Sequence, residues 1–343
     1  MIVLEAGNDL GAFTAGLEKL AEHCVVGTRV VVLGRSNDVM LFRTLLRYGV
    51  SDYVPTLDNA RPIVEAIARL LEDPNLAKLG RVIASIGAGG GAGSSIVAHN
   101  VAWCLAETFA DDVALIDLDF AFGSADLDFN EEAPQSVAAA IEQRDRIDDQ
   151  LLEQFYARRG DHLCLFTAPA GLDTDADLDP AAFDGLMNVI RRAMPFVVID
   201  LPNRWAGWTR HILKSADEII VTARPTLASL RNTKSLGEVL NAGRVADAPV
   251  RLVLNGIGGY GKSEIPAKDF EAAVAMKNAV RIGYDTSLFG DAGTKGQVVA
   301  EASKNHKISA QFRALAIAVS GRQVLEKAAS RNTLGFMRLF KRG

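Results

Sequence analysis

The segment with the clearest capacity for chemistry is SIGAGGGAGSS, residues 85–95. It follows an apolar run rich in β-branched residues and precedes a helical pattern, so it predicts a turn between a strand and a helix. Glycines at such a turn let backbone N–H groups face an anion near the positive end of the helix. Alone, the turn is equally consistent with close packing of a strand on a helix.

Polar side chains also end three later apolar runs. Asp117 and Asp119 end ALIDLD, Asp200 ends FVVID, and Asn255 ends RLVLN. The carboxyl ends of neighbouring parallel strands meet at one edge of a sheet, so we expect these side chains above the glycine segment. Magnesium and an attacking water need such carboxylates. The amide of Asn255 can donate to and accept from an adenine edge.

The elements that must position these residues alternate along the chain. Apolar strand patterns are RVIASIG, DVALIDLD, HLCLFTAP, FVVIDLP, EIIVTARP, VRLVLNG and NAVRIGY, and helical patterns separate them. This alternation predicts an α/β fold with a parallel sheet and helices on both faces over residues 81–326. A front α/β unit over residues 1–73 is joined to it by a linker at 74–80, where proline and glycine occur.

Bulk composition indicates a globular protein. The 343 residues are 49% hydrophobic and carry a net charge of −5, which gives no overall attraction to nucleic acid. Cys24, Cys104 and Cys164 are odd in number and lie in apolar surroundings, as expected of reduced thiols. No run reaches the roughly 18 apolar residues of a spanning helix, and the start lacks signal-peptide features. We therefore expect a cytoplasmic protein.

Two other interpretations of single features are weaker. GAGGGAG could belong to a dinucleotide-binding oxidoreductase, but the acidic residue about 20 positions on would fall at 109–112, before the next strand rather than at its end. His99 lies in the first helix after the loop, and we interpret it as a packing residue rather than a catalyst.

The series of glycine loop, Asp-x-Asp, Asp-x-Pro and strand-end asparagine resembles the ParA/MinD superfamily of P-loop ATPases with a deviant Walker A loop. The segments AHNVAW, DLDFAFGSADLDFN, RPTLASLRNTKSL and YDTSLFGDAGTKGQVVAE are similar to the CpaE/TadZ group, which helps place and assemble Flp-type (tight adherence) pili. The resemblance covers about residues 80–326. It implies a dimer and a P-loop ATPase fold.

The resemblance also assigns site residues. The superfamily loop K-G-G-x-G-K-[ST] falls on Gly89, Gly90, Gly91, Ala92, Gly93, Ser94 and Ser95. The signature lysine, which reaches across a nucleotide sandwich dimer, is Gly89 here, and the phosphate-gripping lysine is Ser94. The implied metal site consists of Ser95, Asp117 and Asp200. Asp119 would position the attacking water.

The two missing lysines separate binding from hydrolysis. A charge-assisted hydrogen bond contributes roughly 1.5 to 3 kcal/mol, so losing one weakens binding by about ten- to a hundredfold. The rate of hydrolysis should fall by a larger factor than the affinity, because cations stabilise the transition state of phosphoryl transfer. We expect ATP or ADP to bind with Mg²⁺ and hydrolysis to be slow or lost. Arg204, Arg224 or Lys262 could supply the missing charge.

The front unit resembles the later half of a receiver domain, on VVVLGRSNDV and YGVSDYVPT. The receiver's phosphoacceptor aspartate, hydroxyl and lysine would fall near Glu5, Gly34 and Thr56, and all three groups are missing. A docking or dimerising role, or a purely structural cap, is expected instead of phosphorelay. The tail covers residues 327–343. Its segment 334–342 combines basic and apolar residues, which is typical of segments that bind anionic lipid weakly or that dock on protein.

Two functions are consistent with these features. The first is a dimeric, nucleotide-responsive scaffold that positions the pilus secretion machinery, with the pilus secretion ATPase and other pilus components as partners. The second is an active MinD-like ATPase switch that cycles between membrane and cytosol. ParA-like DNA partitioning is disfavoured by the acidic total charge and the absence of a Lys/Arg-rich helix. The expected location is the cytoplasm, peripherally at the inner membrane or a cell pole.

Overall fold

The fold is described from a computed structural model of the chain. It describes residues 1–6, 10–21, 23–24, 28–36, 39–55, 62–64, 66–67, 79–147, 149–169, 178–242, 250–274 and 276–322. The chain forms two compact units, Met1–Ala77 and Lys78–Gly343. The tail segment 334–342 and Thr56 lie outside the described residues.

The first unit is a small parallel sheet with helices. Its elements are β1 (Ile2–Glu5), α1 (Leu10–Ala21), β2 (Val30–Leu33), α2 (Val39–Arg47) and β3 (Asp52–Val54), with strand order β1-β2-β3. A Cβ atom at Gly34 would lie 2.3 Å from Tyr53 Oη, so the Tyr53 ring fills the place where the receiver resemblance puts a hydroxyl side chain. The resemblance itself stays a prediction.

The described part of the second unit contains eight strands, with helices between and after them. In chain order these are β4 (Arg81–Gly87), α3 (Ser94–Phe109), β5 (Val113–Asp117), α4 (Ala125–Phe129), α5 (Val137–Glu142), α6 (Asp149–Leu152), β6 (Ala157–Arg159), β7 (Leu163–Phe166), α7 (Pro180–Ala193), β8 (Phe196–Asp200), α8 (Gly207–Ser215), β9 (Glu218–Ala223), α9 (Leu227–Ala242), β10 (Val250–Ile257), α10 (Ala267–Ala273), β11 (Lys277–Gly283), α11 (Thr286–Thr294), α12 (Val299–Ala302) and α13 (Lys307–Ser320). None of the described helices is long and apolar enough to cross a membrane.

The eight strands form one sheet in the order β11-β10-β9-β4-β8-β5-β7-β6. All neighbours are parallel except β6 and β7. The predicted α/β fold with a parallel sheet is therefore confirmed. The short edge strand β6 was not predicted, because its sequence Ala-Arg-Arg has no apolar pattern.

Helices cover both faces of this sheet, which explains the continuous apolar runs. Residues such as Ile83 and Val198 pack against α3 and α13, while the next residues, Ala84 and Ile199, pack against α7 and α8 on the opposite face. Successive side chains of a strand alternate between faces, so both sets must be apolar. The sheet is a rigid support whose carboxyl edge carries the loops after β4, β5, β8, β9 and β10.

Candidate functional site

The glycine loop joins β4 to α3 and adopts a backbone that only glycine takes easily. Gly91 and Gly93 have φ values of +67° and +86°, and Gly93 is the N-cap of α3. A Cβ atom at Gly93 would lie 2.3 Å from Asn255 Nδ2, and one at Gly91 would lie 2.7 Å from Arg224 Nη2. Both conformation and space therefore require glycine. The first turn of α3 has no capping side chain, so its N–H groups are suited to an anion.

Three asparagine side chains hold this loop through hydrogen bonds to its backbone carbonyls. Each donates a hydrogen bond from Nδ2 to a loop carbonyl: Asn203 to Gly87 O at 3.0 Å, Asn232 to Ala88 O at 2.8 Å and Asn255 to Ala92 O at 2.9 Å. Bonded carbonyls fix the orientation of the adjoining peptide units before a ligand arrives, which is preorganisation.

The sequence analysis missed two of these amides. Asn203 stands directly after Asp200-Leu201-Pro202, and its place at a strand end could have signalled it. Asn232 lies within α9, where nothing local distinguishes it. Asn255 was predicted to contact adenine, which stays a prediction. Its amide lines a cavity of about 310 Å³, whose walls include Arg224 and Tyr260.

Asp117 and Asp200 come together beside the loop, as the sequence analysis expected. They are register partners on the adjacent strands β5 and β8, and both are buried. Asp117 accepts hydrogen bonds from the backbone N–H groups of Asp119 at 3.0 Å, Ser124 at 3.0 Å and Ala125 at 3.2 Å. Burial, and then repulsion from Asp200, raise the pKa of Asp117 to about 7. Asp117 thus anchors the turn after β5.

Asp119 is half-buried in that turn. Its Oδ1 accepts a hydrogen bond from Phe122 N at 3.1 Å, which closes the turn. Its other oxygen accepts no hydrogen bond within the described part of the chain. The predicted role in positioning water stays a prediction.

His99 is a site residue whose polar role the sequence analysis did not anticipate. It is fully buried in α3, with Nδ1 2.7 Å from Asp128 Oδ2 and Nε2 3.4 Å from Asp200 Oδ2. Burial lowers the pKa of His99, but the bonds to Asp128 and Asp200 outweigh burial and raise it to about 10. The ring also packs on Phe129, at 5.9 Å between centroids. His99 therefore lies between two carboxylates, those of Asp128 and Asp200.

The residues present are compatible with Mg²⁺. Asp117 and Asp200 each offer a carboxylate oxygen, and these atoms lie within 4.8 Å of each other. Asp200 Oδ1 is buried and has no hydrogen-bond partner among the described residues, so it is free to accept from a metal-bound water. Ser95 and Asp200 would hold the ion, which when bound supplies positive charge to phosphate oxygens.

The three cations that could substitute for lysine lie at different places. The guanidinium of Arg224 lies against Gly91, whereas Lys262 is exposed in the turn after β10. Arg204 lines a different cavity, of about 260 Å³, next to Gly87.

The fold can be compared with those of known proteins. No protein-family model matches the sequence, and no curated protein does either. A ParA family ATPase from Chlorobium tepidum TLS superposes with a TM-score of 0.63 at 21% identity, over 70% of this chain and 98% of that chain. MinD of Pyrococcus horikoshii OT3, complexed with Mg-ADP, gives 0.60 at 18% identity, over 70% and 96%. The fold is that of the ParA/MinD ATPases.

A third structure with the ParA/MinD fold is a Cyanothece McdA variant in complex with ATP. It superposes with a TM-score of 0.56 at 14% identity, over 73% of this chain and all, 100%, of that chain. Structural similarity at identities this low shows the ParA/MinD fold alone. Any ligand of the present chain must be inferred from its own residues.

A substitution in the loop tests whether the ParA/MinD-type turn here depends on its glycines. Gly93→Ala is expected to lower the free energy of unfolding by about 1–3 kcal/mol, through positive φ and the clash with Asn255. Gly90→Ala is the matched control, because among the described residues no atom lies within 4 Å of its Cβ position and its φ is not left-handed. Urea unfolding of both variants measures the difference. Equal stability would contradict the strained geometry.

Proposed function

We propose that this chain is a nucleotide-binding positioning factor of the CpaE/TadZ type. In this proposal it is a dimeric scaffold that binds ATP or ADP with Mg²⁺, hydrolyses it slowly or not at all, and positions the Flp/Tad pilus secretion machinery. The partners are the pilus secretion ATPase and other pilus assembly components. The protein acts in the cytoplasm, peripherally at the inner membrane or a cell pole, and does not act on nucleic acid.

One observation carries the nucleotide part of the proposal. The loop is preorganised by Asn203, Asn232 and Asn255, while Gly89 and Ser94 stand where the superfamily has lysines. A preorganised set of N–H groups favours binding of phosphate. Hydrolysis needs cations that act on the transition state, and the loop itself supplies none. Binding without efficient turnover suits a scaffold.

Exposed apolar side chains support a homodimer. Phe122 is 78% exposed, Trp205 46% and Leu227 75%, and they follow β5, β8 and β9 respectively. The three strands end at the same edge of the sheet as the glycine loop, so these side chains belong to one end of the unit. Large exposed apolar groups gathered at one place favour association with another surface, here a second copy.

The pilus role rests on the resemblance of four segments, among them AHNVAW and RPTLASLRNTKSL. The first contains His99 and the second lies in and before α9, which contributes Asn232 to the loop. The motifs that carry the resemblance are thus also those that build the candidate site. Contact of the tail 334–342 with a membrane is part of the same proposal and concerns residues outside those described.

The alternative, an active MinD-like switch, is favoured by Asp119. Its second carboxylate oxygen lies at the carboxyl edge and accepts no hydrogen bond from the described residues, so it could hold a water. Measuring the release of phosphate from ATP distinguishes the scaffold from the active ATPase switch. Turnover that is lost in Asp119→Ala favours the switch, and binding without turnover favours the scaffold.

Calorimetric titration of the full chain with ATP and Mg²⁺ tests the proposal. We expect saturable binding at or below millimolar concentration, weakened in Asp200→Asn because that variant loses the charge next to the metal. Sedimentation velocity with and without ATP measures dimerisation in the same samples. Absence of binding up to several millimolar would contradict the proposal, and the protein would then be a nucleotide-independent scaffold.

A further inference from the structure

Arg224 is a cation at the mouth of the glycine loop. It is the first residue after β9, the strand next to β4 in the sheet, so its side chain starts beside the loop. A Cβ atom placed on Gly91 would lie 2.7 Å from Arg224 Nη2, 3.4 Å from Cζ and 3.7 Å from Nη1. The guanidinium therefore lies against the bare Cα of Gly91, and any larger residue there would displace it.

Among the described residues, this guanidinium has no anionic partner. Within the described residues Arg224 donates no hydrogen bond and forms no ion pair, and its recorded neighbour is the Tyr260 ring, whose centroid lies 6.0 Å from Cζ. Two other arginines of the same sheet differ: Arg81 and Arg251 both bond to Glu218, at 2.8 and 3.1 Å. The N–H donors of Arg224 are therefore available to an anion within the described part of the chain.

The surroundings of Arg224 match one class of anion. It lines the cavity of about 310 Å³ together with Gly91, Gly93 and Asn255, at the N-terminus of the 16-residue helix α3. Asp200 Oδ1, which is buried and has no hydrogen-bond partner among the described residues, lies at the same edge of the sheet. A guanidinium donates two parallel hydrogen bonds to a phosphate, and its planar face stacks on an aromatic ring while it does so.

We propose that Arg224 supplies, from within the same chain, the positive charge to the nucleotide phosphates that the superfamily obtains from its loop lysines. The Tyr260 ring lies on one side of the guanidinium, and the absence of a side chain at Gly91 lets the guanidinium approach the loop. This inference rests on the proposed nucleotide binding and assigns its principal cation.

The test compares Arg224→Gln and Arg224→Lys with the wild-type full chain in titrations with ATP and Mg²⁺, with inorganic pyrophosphate, and with adenosine by competition. Arg224→Gln is expected to weaken ATP and pyrophosphate binding by about ten- to a hundredfold and to leave adenosine binding unchanged. Arg224→Lys keeps the positive charge but cannot donate bidentate hydrogen bonds, so its loss of ATP and pyrophosphate affinity should be smaller than that of Arg224→Gln. Arg192→Gln, at an exposed arginine late in α7, is the matched control and keeps wild-type affinity.

The outcomes distinguish this inference from the function on which it rests. If wild-type protein binds ATP and Arg224→Gln binds it equally well, the assignment of Arg224 is overturned and nucleotide binding stands. Equal weakening of ATP and adenosine would also overturn it, since the effect would then lie in the shape of the cavity. If the wild-type chain binds neither ATP nor pyrophosphate, both proposals fall. Thermal unfolding of each variant confirms that the fold is retained.

Discussion

Replacing His99 with leucine is expected to lower the free energy of unfolding by about 3–5 kcal/mol. The side chain is fully buried, and it is bonded to Asp128 at 2.7 Å and lies 3.4 Å from Asp200. Leucine has a similar volume, so the packing on Phe129 is largely kept and the loss comes from the carboxylates. Asp200, 2% exposed, would then be a buried charge without a cation. Urea unfolding monitored by circular dichroism measures the change.

The matched control is His162→Leu. His162 lies 3.2 Å from Asp112, with both side chains more than a third exposed, so its pair contributes about 0–1 kcal/mol. Adding Asp200→Asn to His99→Leu should recover part of the loss, because the uncompensated charge is removed. Equal destabilisation by the two histidine substitutions would show that the buried ion pairs do not stabilise the fold.

The destabilisation caused by His99→Leu should decrease as the pH rises above neutral. The pKa of His99 is raised from 6.5 to about 10, by the bonds to Asp128 and Asp200 acting against burial. A raised pKa means that the stabilisation is fully present below the unfolded value near 6.5 and is lost as pH rises through the folded value. The gap in stability between wild type and His99→Leu should therefore narrow from neutral pH towards pH 10.

Introducing the two lysines that the resemblance implies, with Gly89→Lys and Ser94→Lys together, is expected to raise ATP turnover by about 10²–10³-fold. A Cβ atom at Gly89 would meet only Asn232 Nδ2, at 3.9 Å, among the described residues, and Ser94 is the first residue of α3. ATP affinity should rise by about ten- to a hundredfold. Steady-state phosphate release and calorimetry measure the two effects.

Gly90→Lys is the matched control for this experiment. It adds the same charge to the loop at a position that faces open space, so neither affinity nor turnover should reach the values of the double variant. If the double variant binds ATP tightly and still releases no phosphate, the missing lysines are not what limits hydrolysis. Asp117, which is held by three backbone N–H groups, would then be the next residue to vary.

Local sequence predicted much of the large unit. The seven apolar runs correspond to strands β4, β5 and β7 to β11, because a strand covered on both faces must be apolar throughout. The pairing of Asp117 with Asp200 followed from their positions at strand ends. Strand β6 was missed because pairing with β7, rather than its own composition, makes it a strand. Tertiary context overrides local propensity at such an edge.

The sequence by itself determined which chemical groups are present. It places glycines at 89, 91 and 93, a serine at 94, and carboxylates at the ends of two strands. Only the tertiary structure decided that Arg224 lies against Gly91 of the loop, and that Nε2 of His99 lies 3.4 Å from Asp200 Oδ2. These contacts join residues that are far apart in the chain. They follow from the strand order β9-β4-β8-β5, which no local periodicity encodes.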